Sequence, residues 1–198
     1  MTSTTEAGSG TRIRRTKAKV EEAITQAVLV ELDAKGFAGL TFEAVARRAE
    51  VSKPVLYRRH SSRVSLVLSV LASTAKNLYG EAPMTGALRT DLQAWLGRAQ
   101  EWLPRIQPAT FRGLLGEANE EEMRQIAALL DQRMRDIERC VFEPARHRGE
   151  IQGDIPAPVA RMFFMMLRDQ ALFGAQELDG TWMIDDVLLP LLKAHAHR

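Results

Sequence analysis

Residues 41–60 carry the sequence TFEAVARRAEVSKPVLYRRH, which contains the signals of two short helices and a turn between them. Thr41 is a typical N-cap for a short helix running from Phe42 to Ala49. A second short helix follows Ser52 as its N-cap, with Pro54 in the first turn, where no intrahelical partner exists for the missing N–H. Two short helices joined by a tight turn are the pattern of a helix-turn-helix, which places its second helix in the major groove of DNA.

The spacing of apolar residues supports this interpretation. Ala46 is small where the two helices must approach closely, Val51 is the buried residue of the turn, and Leu56 anchors the second helix to the core. The outward face of the second helix offers Lys53, Pro54, Val55, Tyr57, Arg58 and Arg59. A solvated basic surface is the alternative explanation of that face.

Outside this stretch the sequence again predicts helices, because no run alternates apolar and polar residues as a strand would. A first amphipathic helix spans about Thr16 to Lys35 and stops at Gly36. Pro144 predicts a break or kink in a later helix. The later helices are expected near Ser61–Gly80, Gly86–Leu103, Pro108–Ala118, Glu120–Arg148, Val159–Leu178 and Trp182–His195.

Composition and charge are those of a folded protein with a basic N-terminal part. Hydrophobic residues make up 45% and charged residues 26% of the 198 residues. Residues 1–63 hold 12 Lys/Arg against 7 Asp/Glu, whereas the remainder holds 15 against 18. Such asymmetry is typical of a nucleic-acid-binding module joined to a more acidic domain, although chance produces it too.

Three features predict a cytoplasmic protein. The longest apolar runs fall short of the roughly 20 residues that span a bilayer. The Thr/Ser/Gly-rich first ten residues lack the apolar segment of a secretory signal and are interpreted as a disordered tail. Cys140 is the sole cysteine, which excludes an internal disulfide and fits a reducing compartment.

Several spaced motifs follow one another between Ile24 and Leu68. They are Gly36-Phe37, Leu40-Thr41-Phe42, Val45-Ala46, Ala49-Glu50-Val51-Ser52-Lys53 and Leu56-Tyr57-Arg58. In this order they resemble the DNA-binding domain of the TetR family of repressors, over about the first third of the chain. Arg112–Ala118 and Arg148–Glu150 are similar, more weakly, to one subgroup of the family's variable regulatory domain.

The resemblance implies an all-α fold: an N-terminal three-helix DNA-binding domain with a helix-turn-helix, followed by a C-terminal helical regulatory and dimerisation bundle. We expect a disordered tail over residues 1–11, the DNA-binding domain over 12–62, and the ligand-binding and dimerisation domain over 63–198. Arg12, Arg14, Arg15 and Lys17 form either an arm that reaches the neighbouring groove or a solvated segment.

Roles in DNA binding are carried over from the family. Thr41 is expected to donate to a phosphate, and Lys53 to meet a phosphate or a guanine edge. Pro54 and Val55 are expected near a thymine methyl, and Tyr57 at a phosphate. In full, the resemblance places at the DNA Thr41, Ser52, Lys53, Pro54, Val55, Tyr57, Arg58, Arg59 and Arg63.

The sequence departs from the family pattern near the recognition helix. Glu50 stands where glycine is usual in the turn, so a positive φ there costs on the order of 1 kcal/mol. His60 stands where Phe or Trp is expected, Arg59 where His or Tyr is common, and Val64 replaces the usual acidic residue. These changes bear on the individual contacts more than on the fold.

Aromatic and methionine side chains in the central helices are candidates for lining a ligand cavity, with ordinary core packing as the alternative for each. The apolar candidates are Trp95, Trp102, Phe111, Met123, Met134, Phe142, Met162, Phe163 and Met166. The polar candidates are Arg112, Asn119 and Gln170. The narrower set that we assign to a small-molecule effector is Trp95, Trp102, Phe111, Arg112, Met134, Phe163, Met166 and Gln170.

No catalytic or metal motif is recognisable, so we expect no enzyme activity, no cofactor and no metal. His195 and His197 lack a third ligand nearby in the sequence. Cys140 is interpreted as a small core residue, with redox sensing as the alternative. The rival function is a helical small-molecule-binding protein or enzyme with a vestigial DNA-binding module, and a transcriptional activator would use the same DNA contacts.

The resemblance also implies the assembly and the mechanism. The last two helices are expected to pair with their copies in a four-helix dimer interface, which presents two recognition helices to a palindromic operator. The half-sites would then lie roughly 34–36 Å apart. A small-molecule effector among the central helices would shift the fourth helix and release the DNA.

Overall fold

A computed structural model describes residues 16–79, 81–102, 106–173 and 179–195. For residues 77–79, 163, 170 and 195 it describes the backbone only. Over these residues the structure consists of helices and loops and contains no strand, as the sequence predicts. None of the helices described is long and apolar enough to cross a bilayer. The tail over residues 1–11 and the basic arm, apart from Lys17 in the first helix, lie outside the described residues.

The N-terminal part of the protein packs three helices against the start of a fourth. They are α1 (Lys17–Gly39), α2 (Phe42–Ala49), α3 (Lys53–Tyr57) and α4 (Arg63–Tyr79). The sequence predicts that α1 stops at Gly36, and Gly36 is non-helical, with φ 65° and ψ −177°. Glycine tolerates this conformation, which turns the chain so that Phe37 enters the core.

A buried carboxylate ties α1 to α2. Glu31 is 2% exposed and accepts hydrogen bonds from Lys35 at 3.0 Å and from Arg48 at 2.8 Å. These bonds from Lys35 and Arg48 outweigh the opposing effect of burial and hold the pKa of Glu31 below its usual range. The pair with Arg48 fixes the first helix of the helix-turn-helix on its support.

The turn between α2 and α3 contains a strained residue. Glu50 adopts φ 53° and ψ 41°. This is the left-handed conformation that is expected where the family usually has glycine. Its N–H still closes the end of α2 on the carbonyls of Ala46 and Arg47.

Replacing Glu50 with glycine is expected to raise the free energy of unfolding by about 1 kcal/mol, because glycine adopts positive φ without a Cβ penalty. Glu50→Ala is the matched control, since alanine removes the carboxylate and keeps the Cβ. Urea unfolding followed by circular dichroism measures both. An equal gain in the two variants would assign the effect to the carboxylate instead of the backbone.

The rest of the chain forms a larger helical bundle. Its helices are α5 (Leu88–Trp102), α6 (Pro108–Glu117), α7 (Glu120–Ile137), α8 (Glu143–His147), α9 (Ala157–Phe173), α10 (Gly180–Trp182) and α11 (Leu189–His195). A π-helical segment, Glu138–Phe142, joins α7 to α8, and another, Met183–Leu188, joins α10 to α11.

The two π-helical segments each end two residues before a proline. The sequence predicts a break or kink at Pro144, and the helix widens at Glu138–Phe142, just ahead of that residue. Met183–Leu188 likewise precedes Pro190. A proline lacks an N–H and its ring crowds the carbonyl four residues earlier, so a widened turn lets the helix continue without a sharp kink.

Two hydrophobic cores organise the protein, and α4 belongs to both. The apolar residues of α4 between Val64 and Leu71 pack with α1, α2 and α3, whereas Ala75 packs with the C-terminal bundle. Leu114 of α6 also belongs to the N-terminal core. The domain boundary after residue 62 stays a prediction, and α4 and α6 connect the two parts physically.

A buried ion pair locks the start of α5 to the loop before α9. Asp91 is 1% exposed and accepts hydrogen bonds from Arg148 at 2.8 Å and from the Thr85 hydroxyl at 2.7 Å. Glu150 accepts from Arg148 and from the backbone N–H of Leu88. Arg148 and Glu150, which belong to a weak family motif in the sequence, therefore have a structural role.

Candidate functional site: a basic helix-turn-helix and an apolar cavity

The exposed face of α3 begins with an ion pair. Nζ of Lys53 lies 2.6 Å from Oε1 of Glu43 on α2, and both side chains are about half exposed. The hydrogen bond from Lys53 lowers the pKa of Glu43, which favours its carboxylate form at neutral pH. A DNA phosphate approaching Lys53 would therefore compete with this carboxylate.

Tyr57 stands out from the same face on a rigid support. Its ring stacks on Phe42 with a centroid distance of 4.5 Å and an interplanar angle of 6°. Phe42 is buried, whereas Tyr57 is 55% exposed. Stacking restricts the rotamers of Tyr57, so its hydroxyl is presented outward with little further loss of side-chain entropy.

Thr41 and Ser52 both occupy N-cap positions, but their hydroxyls behave differently. Thr41 Oγ1 accepts the Ala44 N–H at 3.2 Å. Ser52 is the N-cap residue of α3, as predicted, but its side chain makes no capping hydrogen bond. Pro54 supplies no N–H, and the Val55 N–H bonds to the Ser52 carbonyl oxygen at 2.9 Å. Both side chains are exposed.

The C-terminal end of α3 is basic. Arg58 is exposed, and Arg59 Nη1 donates to Glu21 Oε1 of α1 at 3.0 Å. Burial and the charge of Arg59 lower the pKa of the half-buried His60, which favours its neutral form at neutral pH. Pro54 is exposed and Val55 half-buried, so α3 presents mixed apolar and basic groups outward.

Arg63 faces the bundle. Its Nε donates to Glu117 of α6 at 2.7 Å, Nη1 donates to the Ala38 carbonyl oxygen at 3.2 Å, and the guanidinium lies 5.0 Å from the centroid of the Phe37 ring. These contacts join α1, α4 and α6. Its contact with DNA phosphate stays a prediction, as do the DNA contacts of the other residues.

We expect Glu43→Gln to strengthen duplex DNA binding about fivefold, because the change frees Lys53 and removes a negative charge near the phosphates. Asp33→Asn, which removes an exposed carboxylate from α1, is the control and should alter affinity less than twofold. Fluorescence anisotropy at constant salt measures both. Weaker binding by Glu43→Gln would mean that Glu43 positions Lys53 productively.

A cavity of about 240 Å³ opens among five helices of the bundle. Its wall is almost wholly apolar and carries Arg133 and Arg168 as its charged residues. Most of its lining residues come from α4, α6, α7 and α9. The apolar part of the lining is Leu68, Leu71, Ala75, Ala99, Trp102, Phe111, Leu114, Leu115, Ile126, Leu129, Leu130, Phe164, Leu167, Ala171 and Leu172.

Two of the predicted effector contacts, Trp102 and Phe111, line this cavity. Arg112 lies outside its lining and donates to the Leu172 carbonyl oxygen at 2.6 Å. Trp95 is fully buried in the C-terminal core, edge-to-face with the cavity residue Phe164 at 5.4 Å.

The other predicted contacts are more scattered. Met134 and Met166 are half-buried and pack against the C-terminal core. The side chains of Phe163 and Gln170 lie outside the described residues. Of the wider set, Phe142 is buried in the core, Met162 is half-buried, and Met123 and Asn119 are exposed.

Most of the residues that line the cavity were not among those predicted from the sequence. Ile126, Leu129, Leu130 and Arg133 follow one another at helical spacing on α7 and line one wall. That spacing predicts a buried stripe, and aliphatic stripes look the same whether they face a core or a cavity. Arg133, a charged residue at the end of this apolar stripe, was the feature of the sequence that could have indicated a cavity.

Cys140 is buried in the C-terminal core, as expected for a small core residue, and burial raises the pKa of its thiol. No group of His, Cys, Asp and Glu side chains suited to a metal ion occurs among the residues that the structure describes. His197 and the side chain of His195 lie outside that set.

Two family models match the chain. The model of "Bacterial regulatory proteins, tetR family" matches residues 24–70, which contain α2 and α3. The model of "Tetracyclin repressor-like, C-terminal domain" matches residues 82–187, which is more than half of the chain. The first match supports the resemblance drawn from the helix-turn-helix, and the second extends it through the bundle.

Similar proteins include known regulators. A DNA-binding transcriptional repressor TetR of Mycobacteroides abscessus is 24% identical over 181 residues, covering 88% of this chain and 94% of that protein. The transcriptional regulator FadR of Bacillus subtilis, solved in complex with stearoyl-CoA, superposes with a TM-score of 0.63 at 14% identity, covering 86% and 97% of the two chains. A TetR-family regulator from Rhodococcus sp. gives 0.63 at 21% identity, covering 90% and 97%.

Proposed function

This chain belongs to the TetR family of bacterial regulatory proteins, a family of DNA-binding transcriptional regulators, and from this we propose that it is a homodimeric repressor released from a palindromic operator by a small molecule. One observation carries the proposal. Helix α6 lines the apolar cavity with one face and packs against Phe37 of the DNA-binding part with the other.

The close approach of α6 to α1 occurs at Gly113. A Cβ at this position would lie 2.8 Å from Cδ1 of Phe37, closer than ordinary packing allows. Phe111 and Leu114, neighbours of Gly113 on α6, line the cavity. A ligand that pushes α6 away from the cavity and towards α1 would therefore move the end of α1, since a packed contact of this kind transmits displacement.

Two polar contacts connect the start of α4 to the α6–α7 corner. Arg63 is held by Glu117 at the end of α6. The Ser62 hydroxyl donates to Glu122, which also accepts the Asn119 N–H in the capping box of α7. Since residues 62 and 63 follow the recognition helix closely, a shift of this corner would reorient α3.

For DNA binding, we infer that α3 enters the major groove, with Lys53 and Tyr57 at its exposed face and Thr41, Ser52, Pro54, Val55, Arg58 and Arg59 around it. The stack of Tyr57 on Phe42 and the exposure of Lys53 support this assignment. Arg63 is proposed to act through α6, because its guanidinium faces Glu117.

For the dimer, we infer an interface built by two helical segments. One is α9, and the other is the C-terminal segment that consists of α10, the π-helical turns of Met183–Leu188 and α11. Met165 and Phe173 on α9 and Trp182 on α10 are large apolar side chains that are 52%, 68% and 49% exposed. Burying these side chains against a second copy would stabilise the dimer through the hydrophobic effect.

We expect Met165→Glu to convert the dimer to a monomer at micromolar concentration, with a dimer dissociation constant raised at least about a hundredfold, because a carboxylate would be desolvated at the interface. Met123→Glu makes the same change at a methionine of α7 that is 43% exposed. Sedimentation equilibrium should find this control dimeric. Dimers of equal strength in both variants would place the interface elsewhere.

Ligand release requires that the effector bind the DNA-incompetent state more tightly than the DNA-bound state. DNA must then weaken effector binding by the same factor, since coupling between two binding sites is reciprocal.

Selection of preferred sites from random duplex DNA tests the proposed function. We expect enrichment of a symmetric sequence that the wild type binds as a dimer. Failure to enrich any sequence, with only feeble salt-sensitive binding, would support the rival function of a ligand-binding protein with a vestigial DNA-binding module.

A further inference from the structure

The mouth of the apolar cavity combines exposed leucines with an exposed cation. Leu115 on α6 and Leu130 on α7 line the cavity and are 36% and 45% exposed, so apolar surface remains in contact with water at the opening. Arg168 on α9 also lines the cavity, and its side chain is exposed. A ligand that covers the leucines would bring its outer end beside a guanidinium.

The other arginine of the lining is placed differently. Nη2 of Arg133 pairs with Asp136 at 3.0 Å, and its Nε and Nη1 atoms are inaccessible to solvent. The cavity surface at Arg133 is therefore formed by its aliphatic stem. The carboxylate of Asp136 compensates the positive charge of Arg133 behind the cavity lining. The uncompensated positive charge of the lining is therefore that of Arg168.

Further charges near the mouth favour an anion. Arg112 donates to the carbonyl oxygen of Leu172, one helical turn beyond Arg168, and adds positive charge to that edge. The acidic side chains nearest along α7 and α9 are Asp131, which faces Arg161 at 3.7 Å, and the exposed Asp169. The described cavity lining itself contains two arginines and no carboxylate.

We propose that the effector is an anionic amphiphile, whose hydrocarbon chain fills the cavity while its carboxylate or similar anionic head stays at the mouth against Arg168. This inference rests on the proposed ligand-binding function of the cavity and adds the chemical class. Hydrocarbon matches the apolar wall, since burying each methylene is favourable and no polar group inside needs a partner. A guanidinium fork matches a carboxylate or phosphate in geometry as well as in charge.

The test compares ligands that share a ten-carbon chain and differ in the head. Isothermal titration calorimetry of the full chain with decanoate, 1-decanol and decyltrimethylammonium, all below micellar concentrations, isolates the effect of head charge. We expect decanoate to bind about tenfold more tightly than decyltrimethylammonium, with the ratio shrinking towards one in 1 M KCl, because the head is exposed and screened by salt.

Chain length tests the cavity separately. Octanoate should bind about tenfold more weakly than decanoate, because two methylenes fewer are buried. If none of the ten-carbon ligands binds, the cavity does not bind hydrocarbon chains and the proposed function fails with it. If all three bind equally well, the cavity stands and the anionic effector class is overturned.

Substitutions locate the head. Arg168→Gln should abolish the preference for decanoate over decyltrimethylammonium and leave 1-decanol affinity unchanged within twofold. Arg161→Gln, two turns earlier on α9 and 62% exposed, is the matched control and should keep the preference. Loss of the preference in Arg161→Gln but not in Arg168→Gln would overturn the assignment to Arg168. Circular dichroism checks that both variants fold.

Discussion

Arg148→Met is expected to lower the free energy of unfolding at neutral pH by about 3 kcal/mol, since it leaves the buried carboxylate of Asp91 without its guanidinium. Arg89→Met is the matched control, because Arg89 also donates two side-chain hydrogen bonds to carboxylate oxygens, both to Asp185 at 2.7 Å, in an exposed pair. An exposed pair contributes little, so the control should lose less than about 1 kcal/mol. Denaturant unfolding measures both variants.

The same variant carries a pH signature. In the wild type, burial favours a raised pKa for Asp91, but hydrogen bonds from Thr85 and Arg148 outweigh it and hold the pKa below its usual range. The stabilisation is therefore present above the ordinary aspartate pKa and is lost as the pH falls through the lowered value. Without Arg148, protonation of Asp91 relieves a buried charge, so the stability difference between variant and wild type should shrink below about pH 4. A difference that stays constant with pH would contradict this account of the network.

Gly113→Ala is expected to weaken operator binding about tenfold in the absence of ligand. Its methyl group would lie 2.8 Å from Cδ1 of Phe37 and push the end of α1 away from α6, which displaces the DNA-binding part as we propose that the effector does. Gly116→Ala makes the same change on the same helix, where nothing lies within 4 Å, and should leave operator affinity unchanged. Anisotropy with the selected duplex gives both values.

A compensating substitution separates transmission from damage. Phe37→Leu shortens the side chain that opposes Gly113, so Gly113→Ala combined with Phe37→Leu should recover most of the lost operator affinity. The pair forms a double-mutant cycle. Additive losses in the combined variant would show that the two residues do not communicate through their contact.

The helix-turn-helix could be predicted from the sequence because its information is local. Thr41 as N-cap, the turn at Glu50 and the anchor Leu56 lie within sixteen residues of one another, and their chemistry fixes the geometry of α2 and α3. Helix order was predictable from periodicity and breakers for the same reason. Pro144 signalled a break, although the widened segment before it depends on how the helix relaxes around the proline.

The cavity and the contacts of Arg63 could not be predicted in the same way. Which face of α4, α6, α7 and α9 surrounds a void depends on the relative rotation of the helices, and Trp95 and Trp102 look equivalent in the sequence although one is core and the other lining. Arg63 and Glu117 are 54 residues apart and form their pair only in the folded protein. Position in the motif predicts that Arg63 contacts DNA, and only the tertiary fold shows that its guanidinium pairs with Glu117 of α6.

Fluorescence anisotropy of the selected duplex across a KCl series, with wild type and Lys53→Ala, tests most directly whether α3 reads DNA. We expect tight wild-type binding that falls steeply with salt, and at least tenfold weaker binding by Lys53→Ala, with a salt slope reduced by about one. Lys76→Ala, which changes an exposed lysine near the end of α4, outside the proposed dimer interface, should match the wild type. Equal affinity and slope for Lys53→Ala and the wild type would contradict the proposal that α3 reads DNA.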